Sequence, residues 1–155
     1  MPVAWRIVKE KHAASAFDGE GAFTYGGRWN SPGVRVVYAS ESLSLAALES
    51  LVHLNPFLPF RYVRFRVEFA DALVEEIGKD SLVRDWNVQP PGPASKSVGD
   101  AWGRAARTPV LRVPSVIIPI ESNFLLNPQH PGFRKVRISK PEPFALDPRL
   151  LSARA

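Results

Sequence analysis

Proline is the feature that most limits how this chain can fold. Fifteen of its 155 residues are proline, about twice the usual share. A proline has no backbone N–H to donate and fixes its own φ angle, so it interrupts both helices and central strands. Because the prolines are spread over most of the chain, we expect short strands, short helices and many ordered loops.

Clear strand signals lie between these prolines. In Arg61–Phe69, apolar residues occupy every second position from Val63 onward and charged residues alternate with them, which is typical of a half-exposed antiparallel strand. Further strands are predicted by the apolar or β-branched runs Ala4–Val8, Val34–Ser40, Ser115–Pro119, Asn123–Asn127 and Phe133–Ser139.

Helices are fewer than strands. The pattern predicts one over Leu43–Leu54, with Ser42 as its N-cap, a second over Ser95–Arg107, and a shorter one around Ser81–Trp86. The prolines within Gln89–Ser97 predict a surface loop. Strands in series with few helices indicate an α+β class with a mainly antiparallel sheet.

Several classes of protein are excluded by composition. The chain has no cysteine, which rules out disulfide scaffolds, thiolate zinc sites and cysteine nucleophiles. It has neither a long apolar run nor an apolar leader, so we expect one soluble domain over residues 1–155, in the cytoplasm. His12, His53 and His130 lack metal-ligand spacing, and we expect no metal and no cofactor.

Charge is unevenly distributed. Residues 1–80 contain nine Lys or Arg and ten Asp or Glu, whereas residues 81–155 contain eleven and five. A basic half suits a phosphate-bearing ligand, nucleic acid or an acidic partner, and a solvated surface would also explain it. For the basic run Arg134–Arg137 with Lys140, a solvated strand face is the favoured interpretation over nucleic-acid binding.

Two candidate residues lie in and just before the strand predicted over Val34–Ser40. Arg28 lies in the glycine-rich turn Gly26–Gly33, which could present its guanidinium to a phosphate or carboxylate; a structural turn with a solvated arginine is the alternative. Tyr38 shares a strand face with Val36, which favours a core tyrosine, whereas a stacking platform for an aromatic ligand is the functional alternative.

Glu49 is the most informative single residue. On a helical projection it falls inside the apolar sector that Leu45, Leu48 and Val52 define. A carboxylate in that position is costly unless it is paired, hydrogen-bonded or in a cleft. Pairing with an arginine and exposure in a cleft are both open interpretations.

Ser122 is the fourth candidate. It lies in Glu121–Asn123, between Pro119 and an apolar run. The segment could be an ordinary turn, or it could place the serine hydroxyl beside a bound ligand.

Five separated segments resemble the RES domain family in its own order. They are WRI at Trp5–Ile7, GGRWNSPG at Gly26–Gly33, VVYAS at Val36–Ser40, SLAALESLVHL at Ser44–Leu54 and PSVIIPIESNFLLNPQHP at Pro114–Pro131. These proteins are toxins of type II toxin–antitoxin pairs with Xre-type antitoxins, and the family's named residues are an arginine, a glutamate and a serine. Residues 71–107 match least.

The resemblance implies a fold similar to ADP-ribosyltransferase toxins, with split antiparallel sheets and short helices around a cleft, and it implies degradation of NAD⁺ as substrate. By the same resemblance, Arg28 would hold the pyrophosphate, Tyr38 would stack on nicotinamide, Glu49 would stabilise the ribose cation and Ser122 would bind a phosphate or ribose oxygen. Arg6 is a further candidate for ligand contact.

Three outcomes remain open for the acceptor. Water would make the protein an NAD⁺ glycohydrolase, phosphate an NAD⁺ phosphorylase, and a protein side chain an ADP-ribosyltransferase. The expected partner is an Xre-type antitoxin, with DNA contacted only through that antitoxin. A non-enzymatic, basic nucleic-acid-binding module is the alternative from a different class, and it predicts salt-dependent binding without loss of NAD⁺.

Overall fold

The computed structural model describes residues 1–53 and 61–151, and all its regular elements are short. The longest of them has 13 residues, as the proline content predicted. The strands are β1 Val3–Lys9, β2 Val37–Ser40, β3 Tyr62–Glu68, β4 Val74–Glu76, β5 Val110–Pro114, β6 Ser122–Leu126, β7 Arg137–Ile138 and β8 Glu142–Phe144; the α-helices are α1 Glu20–Tyr25, α2 Leu43–His53, α3 Pro93–Ala105 and α4 Pro148–Leu151.

The strands form one curled, mixed sheet in the order β4-β5-β6-β2-β1-β3-β7, with β8 also paired to β3. Only the pair β4–β5 is parallel among the described strands. Strands β1 and β3 pair along seven residues, whereas β1 and β2 share the single register pair Trp5–Ser40. The sheet is therefore nearly divided at β1–β2, and the α+β class with split antiparallel sheets is confirmed.

Arg6 bridges this seam. Its Nε donates to the carbonyl oxygen of Ala16 at 2.7 Å, and its NH1 donates to the carbonyl oxygen of Tyr38 on β2 at 2.8 Å. Burial lowers the pKa of Arg6 to about 10, and the charge of Asp18 acts in the opposite direction. The guanidinium thus satisfies backbone oxygens that would otherwise lack partners where the ladder is interrupted.

Apolar layers cover both faces of the sheet. Because strand side chains alternate between faces, neighbours on β6 belong to different layers: Phe124 packs in one and Leu125 in the other. The first layer also contains Ala4, Val37, Ala39, Val67, Phe69, Val110, Leu126 and Val136; the second also contains Trp29, Val34, Val36, Trp86, Trp102, Leu111 and Val113.

The strand predicted over Ser115–Pro119 is wrong. Residues 115–119 form bends and a turn, and the strand is the preceding Val110–Pro114. The reason is local, because the Ser115 hydroxyl accepts the backbone N–H groups of Ile117 and Ile118 at 3.1 and 3.2 Å. Such side-chain bonds compete with strand pairing.

Other predicted boundaries also moved. Of Phe133–Ser139 only Arg137–Ile138 is strand, preceded by a 3-10 helix, and the helix predicted around Ser81–Trp86 is replaced by a 3-10 turn and bends. Helix α2 has the predicted Ser42 cap, whose hydroxyl accepts the N–H of Leu45 at 3.0 Å. The last predicted residue of that helix, Leu54, lies outside the described residues.

No helix in the described segments could cross a membrane.

Candidate active site

Arg28 and Tyr38 are linked through the loop between α1 and β2, because the Tyr38 hydroxyl accepts the backbone N–H of Trp29, the residue after Arg28, at 3.0 Å. Burial lowers the pKa of Arg28, while the charge of Glu49 and the Tyr38 side chain act in the opposite direction. Glu49 on α2 therefore lies within the range of electrostatic interaction with Arg28.

The loop that bears Arg28 is a tight turn in which glycine is required. Gly26 has a φ of 74°, and the N–H of Gly27 donates to the carbonyl oxygen of Asn30 at 3.0 Å. A Cβ added at Gly27 would lie 2.7 Å from the hydroxyl oxygen of Tyr38. The loop backbone therefore packs directly against the tyrosine, with no room for a side chain between them.

The hydroxyl of Tyr38 fastens this loop. It donates to Asn30 Oδ1 at 2.6 Å and accepts the backbone N–H of Trp29 at 3.0 Å. Burial raises the pKa of Tyr38, which keeps this hydroxyl protonated. Asn30, which the sequence analysis did not single out, is fully buried and donates to the carbonyl oxygens of Ala22 and Val34 at 2.9 and 3.0 Å.

Helix α3 holds the loop from the other side. The Ser95 hydroxyl donates to the carbonyl oxygen of Arg28 at 2.7 Å. The Asp100 carboxylate accepts the N–H and the hydroxyl of Ser31 at 2.8 and 2.6 Å. Gly99 faces the carbonyl oxygen of Trp29, where an added Cβ would lie 1.7 Å away. This helix belongs to the region that matched the family pattern least, yet it positions Arg28.

The guanidinium of Arg28 contacts the segment before α3. Its NH1 donates to the carbonyl oxygens of Val88 at 2.6 Å and Trp86 at 3.4 Å, and its NH2 donates to Gln89 Oε1. The Trp86 ring stacks on Trp29 with centroids 5.9 Å apart. The Arg28 loop and the segment before α3 are therefore also held together by the stacked rings of Trp29 and Trp86.

One oxygen of the Glu49 carboxylate is held by two donors. Oε1 accepts from the Ser115 hydroxyl and from Asn123 Nδ2, each at 2.9 Å. Asn123 Oδ1 in turn accepts from the Ser40 hydroxyl at 2.7 Å. Oε2 has no hydrogen-bond partner among the described residues. The two bonds to Oε1 thus fix the orientation of the carboxylate.

The surroundings of Glu49 differ from the helical projection. Leu45 is buried as expected, but Leu48 and Val52 are 38% and 61% exposed. Glu49 is half-buried at the side of α2 that faces β6. The carboxylate therefore lies at the margin of the core, and its partners are a hydroxyl and an amide rather than a single arginine.

Ser122 lies on the opposite face of β6 from Asn123, because neighbouring residues of a strand alternate in direction. Its hydroxyl accepts from Arg112 Nε at 3.0 Å, and its N–H donates to Glu41 Oε1. The structure therefore does not bring the Ser122 hydroxyl to Glu49. The serine that reaches Glu49 is Ser115, which the sequence analysis had assigned to a strand.

Arg6 is also separated from the other candidates. On β1 its register partner is Phe65, while the neighbouring Trp5 pairs with Ser40. Direct partners in an antiparallel ladder share a face, so Arg6 points away from the face that bears Ser40 and Tyr38. Its hydrogen bonds to Ala16 and Tyr38 go to backbone oxygens, which assigns Arg6 a structural role at the seam.

A cavity of about 390 Å³ adjoins the Arg28 loop. It is lined by Ser31, Pro91, Gly92, Pro93, Lys96, Ser97 and Asp100. Lys96 supplies a cation, and the serines supply hydroxyl groups. Within residues 1–53 and 61–151, no three His, Asp or Glu side chains are grouped so that they could hold a metal ion.

The basic run near the C-terminus is exposed. Arg134, Lys135, Arg137 and Lys140 all face solvent, while Val136 between them is buried. Such exposure is expected both of a solvated face and of a nucleic-acid-binding surface, so both interpretations of this run stay open.

Known proteins resemble this chain over nearly its full length. A family profile described as the RES domain matches residues 3–147. A protein of Sphingobium sp. (strain YBL2) named Prs ADP-ribosylating toxin is 40% identical over 153 residues, covering 95% of both chains. A protein of Yersinia enterocolitica named Toxin Res is 36% identical over 148 residues, covering 94% of this chain and 97% of the relative.

A solved structure shares the fold. The crystal structure of the M. tuberculosis MbcT–MbcA toxin–antitoxin complex contains a chain that superimposes on 96% of this one, with a TM-score of 0.75. The match covers 86% of that chain at 19% sequence identity. This likeness confirms the expected fold.

Proposed function

The chain belongs to the RES domain family, and on that premise we propose that it is a toxin that cleaves the nicotinamide–ribose bond of NAD⁺. The main support from this structure is the Glu49 carboxylate, which is anchored through Oε1, has no hydrogen-bond partner for Oε2 among the described residues and interacts electrostatically with Arg28. One anchored carboxylate beside one arginine matches a substrate that combines a reacting ribose with a diphosphate.

The chemistry requires stabilisation of positive charge. When the bond between C1′ of the ribose and the nicotinamide nitrogen breaks, its electron pair stays with the nicotinamide, which leaves as a neutral molecule. Positive charge then develops on the ribose, as in other glycosyl transfers. Glu49 Oε2 stabilises that charge, and the Ser115 and Asn123 bonds keep the carboxylate oriented before the reaction begins.

The remaining groups bind the substrate. Arg28 holds the diphosphate, and the half-buried ring of Tyr38 contacts the nicotinamide while its hydroxyl secures the loop. Ser115 orients the reacting carboxylate, because its hydroxyl donates to Glu49. We assign the adenosine half to the open cavity beside Ser31 and Lys96.

A protein side chain is the third candidate acceptor, besides water and phosphate. A relative that is 40% identical is named Prs ADP-ribosylating toxin, which supports transfer of ADP-ribose to a protein. The same cleavage step serves all three acceptors, since only the nucleophile that attacks C1′ differs. Prs is the candidate protein acceptor to include in an assay.

An antitoxin is the proposed partner. Relatives of this chain are named toxins, and a structure with the same fold is a toxin–antitoxin complex. An NAD⁺-consuming enzyme would deplete its own cell, so restraint by another chain is needed. We assign that restraint to an Xre-type protein that covers the Arg28–Glu49 site, and a carboxylate on it could pair with Arg28.

The test is to incubate the purified chain with NAD⁺ in excess EDTA and to quantify three products. ADP-ribose indicates water as acceptor, ADP-ribose-1″-phosphate indicates phosphate, and labelled Prs indicates protein transfer. A Glu49→Gln variant of equal stability serves as the control and is expected to leave NAD⁺ intact. If the folded wild-type protein leaves NAD⁺ intact over hours, and binds DNA or RNA with strong salt dependence, the enzymatic proposal is wrong.

A further inference from the structure

The anion-binding edge of Arg28 is already occupied by oxygen atoms of this chain. NH1 donates to the carbonyl oxygen of Val88 at 2.6 Å, and NH2 donates to Gln89 Oε1. These two nitrogens form the edge with which an arginine binds a carboxylate or phosphate through two parallel bonds. An anion that takes the same hydrogens of NH1 and NH2 must therefore displace an oxygen of the protein.

The two oxygens differ in how firmly they are held. Val88 contributes a backbone oxygen, and the nearby Trp86 carbonyl, also within reach of NH1, belongs to a residue whose ring is buried against Trp29. Gln89 is exposed, and the contact with Arg28 is the one hydrogen bond of its side chain within the described segments. The Gln89 amide is therefore the partner that can exchange at little cost.

Exchange is favoured by charge. The Gln89 oxygen is neutral, whereas a diphosphate oxygen is negatively charged and therefore adds the attraction of an ion pair to the hydrogen bond that Arg28 donates. NH1 would remain on the Val88 carbonyl during the exchange, so Arg28 would not lose its position.

We propose that Gln89 is an internal occupant of the Arg28 anion site and that the diphosphate of the substrate takes its place at NH2. This inference rests on the proposed function, because it takes the diphosphate of NAD⁺ as the ligand. Gln89 then tunes affinity: its side chain keeps Arg28 oriented without substrate and competes with substrate for the same donor.

This proposal predicts that loss of the Gln89 side chain tightens diphosphate binding. If Gln89 only held Arg28 in place, its loss would weaken binding instead. Gln89→Ala removes the competitor and should tighten diphosphate binding by about three- to tenfold, the net range of a typical hydrogen bond, because this bond lies at an exposed position. Gln89→Glu places a carboxylate of the same size at NH2 and should weaken binding by at least about tenfold. Both substitutions are at an exposed position, so neither should prevent folding.

The experiment measures the dissociation constant of ADP-ribose by calorimetry in a Glu49→Gln background, which prevents turnover of contaminating substrate. Gln129→Ala is the matched control, since Gln129 is also exposed and its side chain makes no contact with Arg28. In an Arg28→Ala background, the Gln89→Ala change should have no effect, because its action passes through Arg28.

The outcomes separate this inference from the proposed function. Weaker or unchanged ADP-ribose binding by Gln89→Ala overturns the inference, even if the wild-type protein consumes NAD⁺. Opposite shifts for the alanine and glutamate variants support it, even if NAD⁺ is not consumed, and the proposed reaction then fails alone. Absence of ADP-ribose binding by every variant also overturns it.

Discussion

The hydroxyl of Ser115 donates a hydrogen bond of 2.9 Å to Oε1 of Glu49. The two residues are 66 positions apart and belong to a turn after β5 and to helix α2. Ser115 is fully buried and also accepts two backbone N–H groups of its own turn. The same hydroxyl therefore shapes the turn and orients the carboxylate.

Ser115→Ala should reduce kcat for NAD⁺ cleavage by about ten- to a hundredfold, the effect expected for loss of one hydrogen bond to a charged group. Ser122→Ala is the matched control, because its hydroxyl contacts Arg112 on the other face of β6. Steady-state kinetics of the two variants, with thermal melts to confirm folding, makes the comparison. Equal loss in both variants, or loss confined to Ser122→Ala, would contradict this assignment.

Arg28→Ala and Glu49→Gln should fail in different kinetic parameters. Glu49 acts on the developing cation, so its substitution should lower kcat by about 10²–10³ with little change in KM. Arg28 binds the diphosphate in both the ground state and the transition state, so its loss should chiefly raise KM. The measurement is initial rates over a wide NAD⁺ range, and a purely kcat effect in Arg28→Ala would refute the division.

Tyr38→Phe should affect stability more than turnover. The hydroxyl links Asn30 and the backbone of Trp29, so we expect a loss of about 1–3 kcal/mol in the free energy of unfolding. The ring remains, and kcat should stay within a few-fold of wild type. A large drop in kcat at unchanged stability would instead assign the hydroxyl to the chemistry.

The same variant tests the raised pKa of Tyr38. Burial favours the protonated hydroxyl in the folded protein, whereas an unfolded tyrosine ionises near pH 10. The resulting stabilisation is present below about pH 10 and is lost as the pH rises further. Denaturant unfolding at several alkaline pH values should therefore show a steeper fall in stability for the wild-type protein than for Tyr38→Phe.

Gly99→Ala should disrupt the candidate site from a distance. Its Cβ would lie 1.7 Å from the carbonyl oxygen of Trp29, so helix α3 and the Arg28 loop would have to separate. We expect at least about 1–3 kcal/mol of destabilisation and a raised KM for NAD⁺. Gly21→Ala in helix α1 is the control, since nothing lies within 4 Å of its Cβ position; comparable losses in both variants would contradict the argument.

Local sequence patterns were sufficient for several parts of this fold. The alternation in Arg61–Phe69 predicted β3 and its buried face, and Ser42 was correctly predicted as the cap of α2. The turn around Arg28 followed from its glycines. In each case the deciding interaction lies within a few residues, so the sequence displays both partners side by side.

Other parts depended on partners that are distant in the sequence. The strand predicted at Ser115–Pro119 was wrong because apolar character alone did not reveal the hydroxyl bonds that turn the chain there. The sequence analysis singled out Ser122 as the candidate serine and placed Ser115 in a strand. Their roles were separated by the face of β6 and by the position of the turn after β5, which single-sequence patterns do not reveal.

Short elements, antiparallel pairing and the glycine turn that bears Arg28 could be predicted from residue patterns, whereas the closeness of that turn to Glu49 was implied by the family resemblance. The contact of Ser115 with Glu49, the bond from α3 to the Arg28 loop and the contact of Gln89 with the guanidinium became visible only in the folded protein. Periodicity and capping act between neighbours along the chain, so they can be recognised in a sequence. Strand register and the close approach of a helix to a loop instead depend on how distant segments pack.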